Sequence, residues 1–156
     1  MTDSLRMVAV IGASSASPEE ELLAEEVGRL LASQNVALIC GGGPGVMAAA
    51  CRGARDAGGV TIGLLPGTDP SEANPYVSLP ISTGLGEMRN ALIVRSAEAV
   101  IAIGGGAGTL SEIGFAAKIK RRIIGLNTFS ITLNDQPVPL LTEAKTPAEA
   151  VKLALQ

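Results

Sequence analysis

Short apolar runs alternate with helical patterns along most of this chain of 156 residues. Runs of the length of a buried strand occupy residues 7–11, 36–40, 60–65, 97–103 and 122–126. Strands that alternate with helices in this way predict βα units and a parallel sheet. We therefore expect one domain over residues 1–156 with an α/β fold, a doubly wound and mainly parallel sheet in a Rossmann-like, three-layer α/β/α arrangement.

Local signals predict where the helices begin and end. Ser17, Pro18 and Glu20 form a capping box with proline at the first helical position, and residues 146–149 repeat this pattern for a last helix. Further helices are predicted from the glycine cluster 41–45 to about residue 57, over 86–95, and from 109 to about 120. Segment 66–80 is predicted to be an exposed loop, and 77–81 a short edge strand, because Pro80 suits an edge.

Composition excludes several kinds of site and partner. The chain has no histidine, which excludes a Ser–His–Asp triad and a His-ligated zinc site, and we predict no metal site. Cys40 and Cys51 are expected to be buried thiols. A net charge of −3 and the scarcity of aromatic residues disfavour nucleic acid as a partner. No apolar stretch has the roughly 20 residues that cross a bilayer, and the amino terminus does not resemble a signal peptide, so we expect a cytoplasmic protein without a membrane partner.

Two glycine clusters each follow a predicted strand and precede a predicted helix. In a parallel sheet such junctions lie at the carboxyl edge, where ligands bind in open α/β folds. Glycine lets the backbone approach a ligand closely, and the next helix offers unpaired N–H groups to an anion. The turn after the first strand adds a third junction at the same edge. The predicted phosphate or ligand site consists of Ser14, Gly42, Gly43, Gly45, Gly105, Gly106, Gly108 and Thr109.

Two common nucleotide-binding loops do not match these clusters. A Walker A loop needs Gly-Lys-Ser/Thr, whereas Gly108 and Thr109 are adjacent with no lysine between them. The turn after the first strand begins at Gly12 but lacks the second and third glycines of the dinucleotide fingerprint. NAD and FAD are therefore not expected, and no cofactor is predicted to be required.

Charged residues flank the second glycine cluster. Arg89 begins a predicted helix and offers a planar fork of donors to a phosphate or carboxylate. Glu112 is expected in the first turn of the helix after the cluster, near the position of a ligand phosphate. The alternatives are a surface ion pair for Arg89 and a helix-terminus charge partner for Glu112. Because both flank one glycine turn, we assign both to the site, and Asn90 beside Arg89 is included as a ligand-binding residue.

Three segments together resemble the SLOG superfamily of Rossmann-like proteins over about residues 6–126. They are Gly41-Gly-Gly-Pro-Gly-Val-Met47, Met88-Arg-Asn90 and Gly105-Gly-Ala-Gly-Thr-Leu-Ser-Glu112. The superfamily includes the LOG phosphoribohydrolases, which are often mislabelled lysine decarboxylases and which cleave nucleoside 5′-monophosphates to base and ribose 5-phosphate. The resemblance implies that Arg89 and Glu112 match the catalytic pair of those enzymes. It also implies that residues 105–109 match their phosphate-binding turn.

The chain departs from the LOG pattern at two positions. Gly104 stands where LOG enzymes have proline, and Asn90 stands where they have lysine. These residues look more like a short branch of DprA-related proteins that includes the molybdenum-cofactor carrier proteins, which bind a phosphorylated pterin without transforming it. The decarboxylase label is not supported, because the four lysines lie in the tail or well along the helix from the glycine turn and none is placed to hold pyridoxal phosphate.

The sequence therefore leaves three functions open. The favoured one is a carrier or binding protein for a phosphorylated nucleotide-like or pterin-like molecule, with the molybdenum cofactor as one bound ligand. The alternative is a LOG-type phosphoribohydrolase, in which Glu112 would act on the sugar and Arg89 would hold the substrate. A DNA-processing module is the third, opposed by the negative charge. Apolar residues in segments 91–94 and 113–119 exceed what one side of a sheet covers, so a homodimer or larger homo-oligomer is also expected.

Overall fold

The computed structural model describes residues 4–156. The strands are β1 (Met7–Gly12), β2 (Ala37–Cys40), β3 (Thr61–Leu65), β4 (Leu79–Ser82), β5 (Ala99–Ile103), β6 (Arg122–Leu126), β7 (Thr132–Leu133), β8 (Gln136–Pro137) and β9 (Thr142–Ala144). The helices are α1 (Pro18–Ser33), α2 (Val46–Asp56), α3 (Arg89–Ser96), α4 (Ala107–Lys118) and α5 (Pro147–Ala154). Single 3₁₀ turns occupy Pro70–Glu72 and Gly86–Met88.

The strands form a parallel sheet with the order β4-β3-β2-β1-β5-β6-β9, and β7 and β8 form a separate antiparallel hairpin. Strands β1 and β5 are neighbours, in a register that runs from Val8 opposite Ala99 to Gly12 opposite Ile103. Helix α1 follows β1 onto one face of the sheet, and α4 follows β5 onto the other. The predicted doubly wound α/β fold is confirmed. In such folds a ligand crevice opens where the connections diverge, which here is the carboxyl end of the β1–β5 pair.

The predicted capping boxes begin α1 and α5. The Ser17 hydroxyl accepts a hydrogen bond from the Glu20 N–H at 3.1 Å, and the Glu20 carboxylate accepts one from the Ser17 N–H at 3.0 Å. At α5 only half of the predicted box forms: the Thr146 hydroxyl accepts from the Glu149 N–H at 3.1 Å, whereas the Glu149 carboxylate accepts from the Lys145 N–H at 2.8 Å. These bonds satisfy amide donors that have no partner inside the helix, which explains why both helices begin at their prolines. None of the helices described has both the length and the apolarity to traverse a lipid bilayer.

The core has one layer on each face of the sheet. Helices α1, α2 and α5 cover one face, and α3 and α4 cover the other. Strands β2 and β5 are buried along their full length, as expected for parallel strands covered on both sides. Cys40 and Cys51 are buried in the first layer with their Sγ atoms 3.6 Å apart, so the prediction of buried thiols is confirmed.

Several predicted boundaries are wrong, among them the start of the helix predicted over 86–95, which begins at Arg89 after a 3₁₀ turn. Helix α4 begins at Ala107 rather than at 109, because Gly106 serves as its N-cap, and this places Glu112 in the second turn instead of the first. The edge strand β4 runs from Leu79 to Ser82 rather than over 77–81, since its pairing with β3 sets its register. Strand β5 begins at residue 99, two residues later than predicted. The β7–β8 hairpin and β9 were not predicted, because these strands are too short for a periodicity to be recognised.

Candidate functional site

A polar cavity of about 150 Å³ lies at the carboxyl ends of β1, β2 and β5. Of the residues assigned to the site from the sequence, those that line this cavity are Ser14, Arg89, Asn90, Gly108, Thr109 and Glu112. Gly12 and Gly41 form part of its wall, and so do the side chains of Met47 and Glu87. The structure thus brings together residues that are separated by up to about a hundred positions in the chain, as the sheet topology requires.

The other predicted glycines, Gly42, Gly43, Gly45, Gly105 and Gly106, lie outside the lining of this cavity, and several of them pack closely against other groups. Gly45 has a φ of +69°, and a methyl group built on it would lie 2.3 Å from the Ala13 carbonyl oxygen. Gly42 has a φ of +74° and faces the Leu65 side chain. The turn 41–45 therefore packs closely against the turn after β1, and only Gly41 reaches the cavity. Gly43 is half-buried beside the Met47 side chain.

Arg89 is held from two sides. Its Nε donates to the Leu64 carbonyl oxygen at 2.9 Å, and its Nη1 donates to the Asn90 side-chain oxygen. Nη1 also lies 3.9 Å from the Glu87 carboxylate, which is largely exposed. A methyl group built on Gly41 would come within 3.0 Å of Nη2, so this glycine leaves room for the guanidinium group. The Arg89 side chain is only 12% exposed, and it is therefore a fixed charge in the cavity wall rather than a flexible surface cation.

Asn90 connects Arg89 to the first turn of α4. Its side-chain nitrogen donates to the Ser111 hydroxyl at 3.1 Å, and that hydroxyl donates to the Gly108 carbonyl oxygen at 2.7 Å. Asn90 is 2% exposed, and its oxygen and nitrogen are both engaged within the protein. These contacts make Asn90 a residue that positions Arg89 relative to the glycine turn. Sequence reasoning missed Ser111, although a serine three residues after Gly108 in a first turn commonly bonds back to the backbone.

Glu112 is a buried carboxyl group in the cavity wall. It is 8% exposed, and burial raises its pKa to about 8, although the nearby positive charge of Arg89 opposes the shift and Glu87 adds to it. Among residues 4–156 no side chain or backbone group is hydrogen-bonded to its carboxyl oxygens. Glu112 is therefore mainly protonated at pH 7, and it presents a neutral hydrogen-bond donor beside the Arg89 cation.

The turn 104–108 presents the amino terminus of α4 to the cavity. The Thr109 hydroxyl accepts from the Gly106 N–H at 3.4 Å, and no acidic residue lies in the first turn of α4. Methyl groups built on Gly106 or Gly108 would meet no atom within 4 Å, so the space in front of both residues is open. Open backbone N–H groups at a helix amino terminus suit a phosphate or another anion. Within the described part of the chain no cluster of three or more His, Cys, Asp or Glu side chains is arranged to hold a metal ion.

Comparisons with known proteins agree on one family. A family model for the SLOG cluster4 family matches residues 5–152. An uncharacterized protein of Archaeoglobus fulgidus is 36% identical in an alignment of 155 positions that covers 97% of this chain and 95% of that protein. The molybdenum cofactor binding protein from the phototrophic bacterium Rippkaea orientalis is 33% identical, with a TM-score of 0.86 over 97% of this chain and 96% of its own. The molybdenum cofactor carrier protein MCP from Chlamydomonas reinhardtii is 32% identical, with a TM-score of 0.85 over 98% of this chain and 100% of its own.

Proposed function

The chain belongs to the SLOG cluster4 family, and on this premise we propose that it is a carrier that binds a phosphorylated, nucleotide-like or pterin-like small molecule without transforming it. The family resemblance seen in the sequence is confirmed. Two similar solved structures are named as proteins that bind or carry the molybdenum cofactor, which supports a carrier role here.

The observation that carries the proposal is the set of groups that meet in the small cavity. A buried guanidinium, a neutral carboxyl group and the open amino terminus of α4 face one space. Since Glu112 is mainly protonated at neutral pH, the only carboxylate near Arg89 in the cavity lining is the largely exposed Glu87, 3.9 Å from Nη1, and water weakens that interaction. This combination favours a dianionic phosphate group, which accepts several charge-assisted hydrogen bonds at once.

The molybdenum cofactor is the cargo that we favour, because it joins a phosphate to a pterin ring. The small cavity is of a size for its phosphate, and Arg89, Thr109 and the backbone N–H group of Gly108 are the donors that would hold it. Glu112, when protonated, adds a further donor. In this assignment the protein recognises the organic part of the cargo.

A phosphoribohydrolase is the second candidate, favoured by the proximity of the Glu112 carboxyl group to Arg89 in one cavity. Its mechanism would need an ionised carboxylate to orient water or to stabilise an oxocarbenium-like sugar. With a pKa of about 8, Glu112 is mainly protonated at pH 7, so such an activity would rise with pH through about 8 and level off above it. The protonated state at neutral pH supports the carrier over the enzyme.

The test combines binding with turnover. Ribose 5-phosphate is titrated into the protein by calorimetry, and nucleoside monophosphates are incubated with it while free base is measured by chromatography. We expect micromolar binding and no base release. Arg89→Gln should weaken binding at least tenfold, whereas Arg95→Gln, a matched change on the exposed side of α3, should leave it unchanged. Base release by the wild type, lost in Glu112→Gln, would establish the hydrolase instead.

We also propose that the protein assembles as a homodimer or larger homo-oligomer. Ile93 and Ile113 are buried against the sheet, whereas Leu92 and Phe115 on the same two helices remain 38% and 39% exposed. Met88, in the 3₁₀ turn just before α3, is 69% exposed. Exposed apolar side chains grouped on adjoining elements mark contact surfaces. A second copy that packs on α3 and α4 would cover them beside the cavity.

A further inference from the structure

A second and larger cavity lies next to the glycine turn, on the side of β6. It has a volume of about 310 Å³ and is roofed by the segment that carries the β7–β8 hairpin. Gly125 in β6 belongs to its lining, and a methyl group built there would meet the side chains of Leu141 at 2.7 Å and Thr128 at 2.8 Å. Its polar side chains include Asn127, Ser130 and Glu143, and no residue with a positive charge lines it.

The glycine turn lies between residues of the two cavities. A methyl group built on Gly105 would lie 2.7 Å from the Phe129 ring, which lines the larger cavity, and 3.1 Å from the Thr109 Cβ, which belongs to the smaller one. The turn is also tied to the larger cavity through its backbone. The Gly104 N–H donates to the Asn127 carbonyl oxygen at 3.0 Å, and the Thr128 hydroxyl donates to the Gly104 carbonyl oxygen at 2.5 Å. A ligand anchored at this turn therefore has the larger cavity within immediate reach.

The chemistry of the larger cavity differs from that of the smaller one. The smaller cavity carries the Arg89 cation, whereas the larger one carries the Glu143 carboxylate and a half-buried aromatic ring, Phe129. The register of β9 places Glu143 opposite Gly125, and both residues line the larger cavity. Within residues 4–156 the Glu143 carboxylate has neither a hydrogen bond nor an ion pair with the protein. A carboxylate accepts two parallel N–H groups from one partner, and an aromatic face stacks on a planar ring.

We propose that the larger cavity binds a planar heterocycle with a 2-amino-4-oxo-pyrimidine edge, the edge that guanine and pterin rings share. The ring N–H and the exocyclic amino group donate to the two Glu143 oxygens, and Phe129 stacks against the ring. The inference rests on the proposed function, because the phosphate of the same ligand is taken to bind at the glycine turn. It adds ring recognition, which distinguishes guanine-like from adenine-like and hypoxanthine-like ligands.

The experiment compares ligands that differ only in this edge. Affinities are measured by calorimetry for ribose 5-phosphate, GMP, IMP, which lacks the 2-amino group, and a pterin monophosphate. We expect GMP and the pterin monophosphate to bind at least tenfold more tightly than IMP. Glu143→Gln should abolish this preference while leaving the affinity for ribose 5-phosphate unchanged, because Glu143 is exposed and does not touch the small cavity. Asp56→Asn, which removes an exposed carboxylate at the end of α2, is the matched control and should preserve the preference.

The outcomes separate this inference from the proposed function. If ribose 5-phosphate, GMP and IMP bind equally, the phosphate site stands and the ring site is overturned. If the preference for GMP survives in Glu143→Gln, the assignment of Glu143 is overturned. If no phosphorylated ligand binds, the proposed function fails and the inference fails with it. If the pterin monophosphate binds more tightly than GMP and Glu143→Gln loses this preference, the ring that the larger cavity recognises is a pterin. If GMP binds more tightly and the variant loses that preference, the ring is guanine.

Discussion

Replacing Glu112 by glutamine should stabilise the protein, and the gain should grow with pH. The carboxyl group has a pKa of about 8 in the folded chain, against 4.5 for an unperturbed glutamate. Because the folded pKa is the higher one, the folded state favours the protonated form. The contribution of Glu112 to stability is therefore fully present below about pH 4.5 and is lost as the pH rises towards 8.

The size of the effect follows from the two pKa values. Each pH unit between them costs the wild type about 1.4 kcal/mol, and the loss ends above the folded pKa. Between pH 5 and pH 9 the loss amounts to about 4 kcal/mol, which glutamine cannot show because its amide does not ionise in this range. Since other groups titrate alike in both proteins, the difference between them isolates Glu112.

The assay is urea unfolding of both proteins at pH 5, 7 and 9, with the free energy of unfolding extrapolated to water. Glu112→Gln should gain stability relative to the wild type by about 4 kcal/mol from the lowest to the highest pH. Glu19→Gln, which changes an exposed carboxylate in α1, should show no such trend. The assignment of a buried, protonated Glu112 would be refuted if the stability difference between Glu112→Gln and the wild type changed by less than about 1 kcal/mol from pH 5 to pH 9. Such a change corresponds to less than one pKa unit.

The same protonation predicts how anion binding depends on pH. If ribose 5-phosphate binds the protonated form, its affinity should fall by up to about tenfold between pH 7 and pH 9, since a pKa of about 8 leaves roughly a tenth of the carboxyl groups protonated at the upper limit. In Glu112→Gln the affinity should be nearly constant over this range. Calorimetry at both pH values measures the change, and an equal fall in both proteins would assign it to another group.

Three further outcomes are expected. Gly108→Ala should raise the thermal midpoint, because alanine favours a helix by up to about 1 kcal/mol and the added methyl group meets no atom of the protein. The same change should weaken phosphate binding, because the methyl group fills the space through which a phosphate approaches the backbone. Unchanged phosphate affinity would argue against the glycine turn as the anion site. Asn90→Ala should destabilise the fold by about 1–3 kcal/mol in urea unfolding and should lower phosphate affinity, because Arg89 loses a partner that holds it. Light scattering at micromolar concentration should give at least a dimeric mass, and a combined Leu92→Glu and Phe115→Glu variant should be monomeric; a monomeric wild type would overturn the proposed assembly.

Much of the architecture followed from local signals in the sequence. The capping boxes at Ser17 and Thr146 predicted the starts of α1 and α5, because a cap depends on residues within one turn of each other. The apolar runs predicted the parallel strands, since strands buried on both faces must be apolar throughout. The glycine-rich junctions after β2 and β5 predicted a site at the carboxyl edge, and Arg89 and Glu112 were assigned to it because they flank the second glycine cluster. The resemblance to the SLOG superfamily matched these two residues to a catalytic pair.

The sequence by itself thus determined the order of strands and helices and the edge of the sheet where residues meet, because these properties depend on neighbours in the chain. Only the tertiary structure decided which residues of that edge face the cavity. In the folded protein Gly42 and Gly45 pack against neighbouring residues instead of lining the cavity. The oxygen and the nitrogen of the Asn90 side chain are both hydrogen-bonded, the nitrogen to the Ser111 hydroxyl. The tertiary structure also decided the charge of Glu112, because the desolvation that raises a pKa comes from groups on several elements that the sequence places far apart.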